Sequence, residues 1–447
     1  MASVDPKPRG PLFETIIRPL QEFFHHEAAG GFLLLGATVL ALAWANSPFG
    51  DAYQHLVHFP IALTLGGSTS TFSLHALIND GLMAIFFFVV GMEIKRELAI
   101  GELRTLDRAL LPAIAAVGGM IAPALIYSAF NWGTPAMSGW AIPMATDIAF
   151  AIGLVTVLKD RIPWALIVFL TALAIFDDMG GIIVIALFYG SGVHVEWLAA
   201  SAGLVVILFV MMRMHVRSGL AWLIMGALLW YCIHHAGIHA TISGVLLGLF
   251  VPARVRLSAR SVLEELHGYV AGILSKPSEE NVAQEEVLQI EERLEELEPP
   301  LNRFVHFLHP YVTYLIIPVF ALTNAGVDLR QTSLSTLLDP VPLGVAAGLF
   351  IGKQLGIFAF TWAAVKLKLA PSPGNAGPSL VWGVAVVGGI GFTVALFVAG
   401  LAFPDDPRLL DEAKLGILVG SALSAIAGFL ILRLLTKKPA AGSVETA

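Results

Sequence analysis

Four ionisable side chains stand inside long apolar runs, and they set the chemical question. Asp177 and Asp178 lie in TALAIFDDMGG (171–181), Asp147 follows Thr146 in ATDIAFAIG (145–153), and Lys353 lies in LFIGKQLGI (349–357). An unpaired charge at such depth in a bilayer costs roughly 3 kcal/mol on insertion scales, so each needs a partner or a water-filled cavity. Neighbouring helix positions point about 100° apart, so one of two adjacent aspartates faces a cavity while the other meets a second helix. Lys353 is the only base within an apolar run, and this spacing predicts a Lys353–Asp177 ion pair.

Carboxylates, a threonine hydroxyl and unwound backbone carbonyls are hard oxygen ligands of the kind Na+ prefers. Asp178, Asp147 and Thr146 are the candidate ligands. Clustered, dehydrated carboxylates also hold protons near neutral pH, because desolvation and mutual repulsion both oppose ionisation. Na+ and H+ then compete for one site. A carboxylate that carries Na+ while facing one side and returns protonated performs exchange without further machinery. Taken by itself, Asp147 is also open to a plainer role as a helix cap.

The elements that must position these groups are membrane spans. Of 447 residues, 57% are hydrophobic and only 13% charged, with a mean hydropathy of +0.79. A bilayer core about 30 Å thick needs roughly 20 apolar residues per helix. The sequence predicts an all-α polytopic membrane protein of about twelve such helices, over 29–46, 76–95, 109–130, 139–158, 163–188, 195–212, 218–235, 239–253, 306–327, 341–366, 379–402 and 412–434. With both termini in the cytoplasm, Arg330, Arg408 and Lys414 fall outside, Lys353 falls within a helix, and every other Lys and Arg falls inside. An odd number of helices would spoil that partition.

Two spans are interrupted. Pro143 precedes ATDIAFAIG in the fourth, and VVGGIGFT (386–393) places three glycines in the eleventh. Locally unwound, both expose carbonyls and amides that must face protein or a cavity. Where two such discontinuous helices cross, their ends present partial charges of both signs to an ion. The interruptions occupy the middle members of two triplets that begin on opposite sides of the membrane, which predicts an inverted repeat. Close packing by glycine is the alternative reading of the eleventh span.

The remaining segments are a polar N-terminal stretch (1–28), the membrane region (29–435) and a tail (436–447). The first shows no short apolar run with a cleavage site, so no cleaved signal is predicted. IALTLGGSTSTFSL (61–74) alternates about Gly66-Gly67, predicting an extracytoplasmic β-hairpin within about 53–74, whose edge would pair a second protomer; a polar loop is the alternative. An acidic cytoplasmic insertion (about 255–303) places Val287, Leu288, Ile290, Leu294 and Leu297 at helical spacing, either as an amphipathic helix or as a solvated insertion without a transport role. The lone Cys232 excludes an internal disulfide, and neither a cofactor nor nucleic acid is expected as a partner.

From INDGLMAIFFFVVGMEIKREL (78–98) through WAIPMATDIAFAIG, ALAIFDDMG, GIHATISGV (237–245), IPVFALTNAGV (317–327) and GIGFTVALF to AKLGILVGSALSA (413–425), the chain resembles the NhaA sodium/proton antiporters. The resemblance implies a bacterial inner-membrane protein that extrudes Na+, and also Li+, against H+, electrogenically and by alternating access. It implies Asp177 and Asp178 as the pair for cation and proton exchange, with Na+ at Asp178, Asp177 and Thr146, Lys353 pairing Asp177, and Asp147 offsetting helix-dipole charge. It further implies Asp80 as an additional acid, and Glu93, Arg96, Glu97 and His239 in regulation by pH. From the residues alone, Asp80 is equally a cap, the three charges at 93–97 a solvated helix end, and His239 a core histidine. Val305 stands where the family commonly has glutamate and Gln354 where it often has proline. Both departures bear on the pH threshold.

The nearest rival is a sodium-coupled solute symporter of similar crossed-helix fold, which would need polar groups for an organic substrate. Intramembrane proteolysis is disfavoured by the absence of GxGD and GxSG sequences, and haem ligation by the lack of histidine pairs across helices.

Overall fold

The computed structural model describes residues 29–65, 68–190, 192–255, 259–275, 284–330 and 334–436. The expected N-terminal segment, the tail beyond 436, Gly66-Gly67 and residues 276–283 of the acidic insertion lie outside the described residues. Apart from one hairpin the described chain is helical. In order it forms α1 (Ala29–Ala45), α2 (Gly50–Val57), β1 (Pro60–Leu65), β2 (Ser68–Ser73), α3 (Leu74–Ala99), α4 (Leu106–Asn131), a 3-10 segment (Pro135–Met144) and α5 (Ile148–Thr156). Then follow α6 (Trp164–Phe188), α7 (Val195–Arg213), α8 (Gly219–His235), α9 (Ile242–Phe250), α10 (Ala259–Leu274), α11 (Gln284–Leu297), α12 (Pro300–Asn324), α13 (Pro340–Lys366), α14 (Pro378–Val387), α15 (Phe392–Ala402) and α16 (Pro407–Leu435).

Among the described residues eight helical stretches are long and apolar enough to cross a membrane, and ten if the two bent pairs each count as one span. The bends are 118° between α1 and α2 and 49° between α14 and α15. Helices α8 and α9 are shorter than a full span. Along α4, exposed Ile121 and Leu125 accompany buried Leu111 and Ala115, so apolar residues encircle the helix as lipid requires. The expected hairpin is present as β1 and β2, antiparallel with Pro60 opposite Ser73 and Leu65 opposite Ser68. It is shorter than the sequence suggests, because residues 50–57 close into α2 instead of extending into the first strand.

The chain divides into two compact units. The first comprises the residues up to Phe59, Ala109–Gly181 and Ile317 onward. In it α1 packs on α5 and on the second half of α12, while α16 lies against α13, α14 and α15. Asn46 ties the end of α1 to the loop after α12, donating to the Val327 carbonyl at 2.8 Å and accepting the Leu329 N–H at 2.7 Å.

The second unit comprises Pro60–Arg108 and Ile182–Ile316. Its tightest packing joins α3 and α9, where a side chain on Gly248 would meet the Phe88 carbonyl at 2.6 Å and the Met92 nitrogen at 2.7 Å. Such glycines let helix backbones approach as they do in membrane bundles. The acidic insertion forms two packed helices, α10 and α11, linked by an Arg293–Glu265 contact of 3.3 Å. Leu288 and Leu294 remain exposed, and the side chain of Val287 lies outside the described residues.

Among the described residues three helices contain π-type turns, at Leu77–Leu82 in α3, Val312–Ile316 in α12 and Gly348–Gly352 in α13. A π-type turn widens the helix by one residue and re-aims the side chains after it. The third ends immediately before Lys353.

Candidate site at two helix interruptions

The backbone turns extended after Pro143-Met144, at Ala145 (φ −84°, ψ 151°) and at Asp147 (φ −78°, ψ 101°), and the latter conformation suits an N-cap. The 3-10 segment stops at Met144 and α5 starts at Ile148. The glycines of VVGGIGF open the second gap, between Val387 and Phe392. A side chain on Gly389 would meet the Leu349 carbonyl and the Ser424 hydroxyl, each at 2.5 Å, so only glycine fits there.

The two gaps are hydrogen-bonded to each other. The Asp147 N–H donates to the Ile390 carbonyl at 2.6 Å, and the Thr146 hydroxyl lies 2.8 Å from the Gly388 carbonyl. Asp147 Oδ1 accepts the Phe150 N–H at 2.9 Å, while Oδ2 accepts the N–H of Thr393 at 3.0 Å and its hydroxyl at 2.5 Å. One carboxylate thus caps the N-termini of both α5 and α15. Its negative charge sits where two helix dipoles present their positive ends. The helix-cap reading of Asp147 is the one these contacts contain.

Asp177 and Lys353 are both wholly buried and form an ion pair through Asp177 Oδ2. The same oxygen lies 2.7 Å from Thr146 Oγ1, and the Lys353 ammonium also donates to the Met144 carbonyl at 2.6 Å. The pair is therefore pinned to both interruptions, through Met144 on one and through Thr146 to Gly388 on the other. Asp177 Oδ1 is buried and accepts no hydrogen bond among the described residues. Asp178, 4% exposed, follows it on α6 and lies within electrostatic range of Lys353. Among the described residues no three His, Cys, Asp or Glu side chains form a group that could hold a metal ion.

The other sequence candidates lie in the second unit. Asp80 sits on the π-type turn of α3 with Oδ1 3.6 Å from His239 Nε2, and its carbonyl accepts the Trp230 indole N–H at 2.9 Å. The other nitrogen of His239 lies 2.8 Å from the Thr241 hydroxyl. Glu93 faces His309 at 3.6 Å, Arg96 and Glu97 approach at 3.9 Å, and Glu97 accepts the Glu102 N–H at 3.0 Å.

Sequence reasoning missed several contributors. Thr393 and Ser421, whose hydroxyl accepts the Phe392 N–H at 3.2 Å, hold the second interruption, and His309 partners Glu93. The run GIGFT carried a signal for Thr393, since a threonine just after a glycine break is placed to meet a helix end. Nothing in the sequence pointed to Ser421.

These observations define a multi-pass helical membrane protein with a buried ion pair held at two broken helices. A profile of the family Na+/H+ antiporter 1 matches residues 21–432. The chain is 57% identical to Na(+)/H(+) antiporter NhaA 1 of Myxococcus xanthus (strain DK1622), over 97% of this chain and 96% of the relative. It is 55% identical to Na(+)/H(+) antiporter NhaA of Anaeromyxobacter sp. (strain Fw109-5), over 96% and 93%. It is 45% identical to Na(+)/H(+) antiporter NhaA 2 of Pseudomonas syringae pv. syringae (strain B728a), over 93% and 94%. The chain belongs to the Na+/H+ antiporter 1 family, a family of transporters and not of enzymes.

Proposed function

We propose that this protein is an electrogenic Na+/H+ antiporter, also accepting Li+, in which Na+ and H+ compete for Asp178 and Asp177 under alternating access. The observation that carries the reading is the buried Lys353–Asp177 pair, tied through Met144 and Thr146 to both helix interruptions with Asp178 beside it. A dehydrated carboxylate next to carbonyl and hydroxyl oxygens accommodates either a proton or an alkali ion. Thr146 supplies a hydroxyl ligand, and Asp147 balances the helix ends that an arriving cation would otherwise oppose. Loading an ion then alters the bonds that join the two interruptions, which is the differential contact that switching between two states requires.

In this reading the chain crosses a bacterial inner membrane twelve times with both termini cytoplasmic. Twelve crossings follow when the eight long helices are joined by α1, α8, α9 and the α14–α15 pair. The stretches α4 to α6 and α13 to α16 form inverted repeats whose broken middle members cross, a view supported by the matching gaps at 145–147 and 388–391. The hairpin edge pairs a second protomer, and Asp80, Glu93, Arg96, Glu97 and His239 tune activity to pH.

The test is proton flux in proteoliposomes on adding Na+, Li+ or K+ separately, scanned over pH and under an imposed membrane potential. Exchange driven by Na+ and Li+ and accelerated by the potential is expected. Proton movement that ignores Na+ would overturn the reading.

A further inference from the structure

The C-terminal end of α13 presents two lysines to the surface. Lys366 lies in the last turn, about 20 Å along the helix axis from Lys353, and Lys368 stands in the turn that follows. Among the described residues no carboxylate pairs either of them. The Lys366 ammonium lies instead over the indole of Trp362, 4.4 Å from the ring centroid. A cation on an aromatic face is held against the apolar side of its own helix, and its outer side is left for an anion. Lys368 has a left-handed backbone (φ 58°), a conformation that favours glycine, and the turn closes through the Lys368 N–H on the Val365 carbonyl at 3.1 Å and the Leu369 N–H on the Ala364 carbonyl at 2.9 Å. A charged side chain is thus kept where glycine would fit more easily. Leu367 and Leu369, on either side of it, are both exposed. Leucines standing out between lysines suit a membrane interface better than water.

Below this turn, Ile351, Leu355, Ala359, Trp362 and Lys366 are all exposed and recur at intervals of three or four, so they form one row along α13. From Leu355 to Lys366 the helix rises about 16 Å, close to half of a bilayer core about 30 Å thick. The row is therefore one leaflet long, apolar along its length and cationic where headgroups lie. We propose that it binds a single anionic phospholipid of the leaflet that meets the end of α13, with the phosphate held by Lys366 and Lys368 and an acyl chain laid along Trp362, Leu355 and Ile351. Charge selects the occupant: a zwitterionic lipid brings the lysines no net counter-charge, and an acidic soluble partner would leave the apolar row beneath them unused. The site is separate from the Lys353–Asp177 pair, and it predicts a lipid preference whether or not the protein moves Na+.

The experiment titrates the full-length protein in detergent with phosphatidylglycerol or phosphatidylcholine of identical acyl chains and counts bound lipids by native mass spectrometry. The unaltered protein and the double variant Lys366→Gln, Lys368→Gln are mixed, so that both meet the same free lipid. Loss of each lysine is expected to weaken the strongest phosphatidylglycerol binding about fivefold, and loss of both about 25-fold, with phosphatidylcholine unaffected. The double variant Lys366→Arg, Lys368→Arg is expected to keep the preference. Phosphatidylglycerol binding that is unchanged in the glutamine variant, or an equal loss for both lipids, overturns the proposal. Phosphatidylglycerol brominated on its acyl chains reports the tail: quenching at Trp362, read as the difference from Trp362→Phe, is expected, and its absence overturns the placement along the row. Thermal melting in lipid-free detergent reports that the lysine variants are folded.

Discussion

Asp147 accepts both the backbone N–H and the hydroxyl of Thr393 on one carboxylate oxygen, while its other oxygen caps α5. A residue that reads in sequence as a local helix cap thus holds the start of a helix some 246 positions away. Removing it unties two helix ends at once. Asp147→Ala is expected to cost about 1–2 kcal/mol for each cap lost, and Thr393→Val about 1.5–3 kcal/mol for the charge-assisted bond. Thermal melts in detergent check both, and a loss in Asp147→Ala no greater than that in Thr393→Val would count against the double cap.

The Lys353–Asp177 pair has no solvent to fall back on. Lys353→Met or Asp177→Asn alone leaves a buried group without its counter-charge, with an expected loss of about 3–5 kcal/mol. The double variant should recover part of this, giving a coupling of about 0.5–3 kcal/mol in a thermal-stability cycle. Strictly additive losses would show that the two side chains do not support one another.

Asp178 makes a separate prediction. Asp178→Asn should insert and melt like the unaltered protein, yet reduce Na+-driven proton release in everted vesicles to background, because an amide does not exchange a proton. Retained exchange would remove this carboxylate from the transport cycle.

Much of this site was legible because charge in an apolar run demands an explanation. The cost of burying Lys353 called for a carboxylate, and Pro143 together with the glycines of 386–393 marked both interruptions. Geometry that arises from tertiary compromise was not legible. The π-type turn at Gly348–Gly352 has no sequence period of its own, and Ser421 is indistinguishable from a packing serine until its partner's N–H is known. Alternation about Gly66-Gly67 revealed the hairpin, but α2 was hidden by its eight-residue length and mixed polarity. The shortness of α8 and α9 likewise blurred the number of spans.

His309 and Glu93 offer a pH-dependent contact. The pair is ionic only while the imidazole is protonated, so its contribution is present in acid and fades as pH rises. His309→Gln should flatten the acid side of the pH–stability profile and move the onset of exchange toward lower pH. Unchanged melting and flux profiles across the imidazole range would exclude the contact from regulation.

Packing in the second unit is equally testable. A methyl group on Gly244 would run into the Ala84 carbonyl and come within 2.9 Å of the Phe88 nitrogen. Gly244→Ala is expected to cost about 1–3 kcal/mol by overpacking. A melting temperature equal to that of the unaltered protein would mean that α3 and α9 separate without penalty.

The bonds joining residues 145–147 to 388–393 also constrain inheritance. A chimera that takes either interrupted helix from a distant homologue keeps its own fold locally but mismatches donors and acceptors at the junction. Recombination and directed evolution should therefore retain these two stretches together, as a linked cassette, and library designs that shuffle them independently should yield mostly inactive offspring.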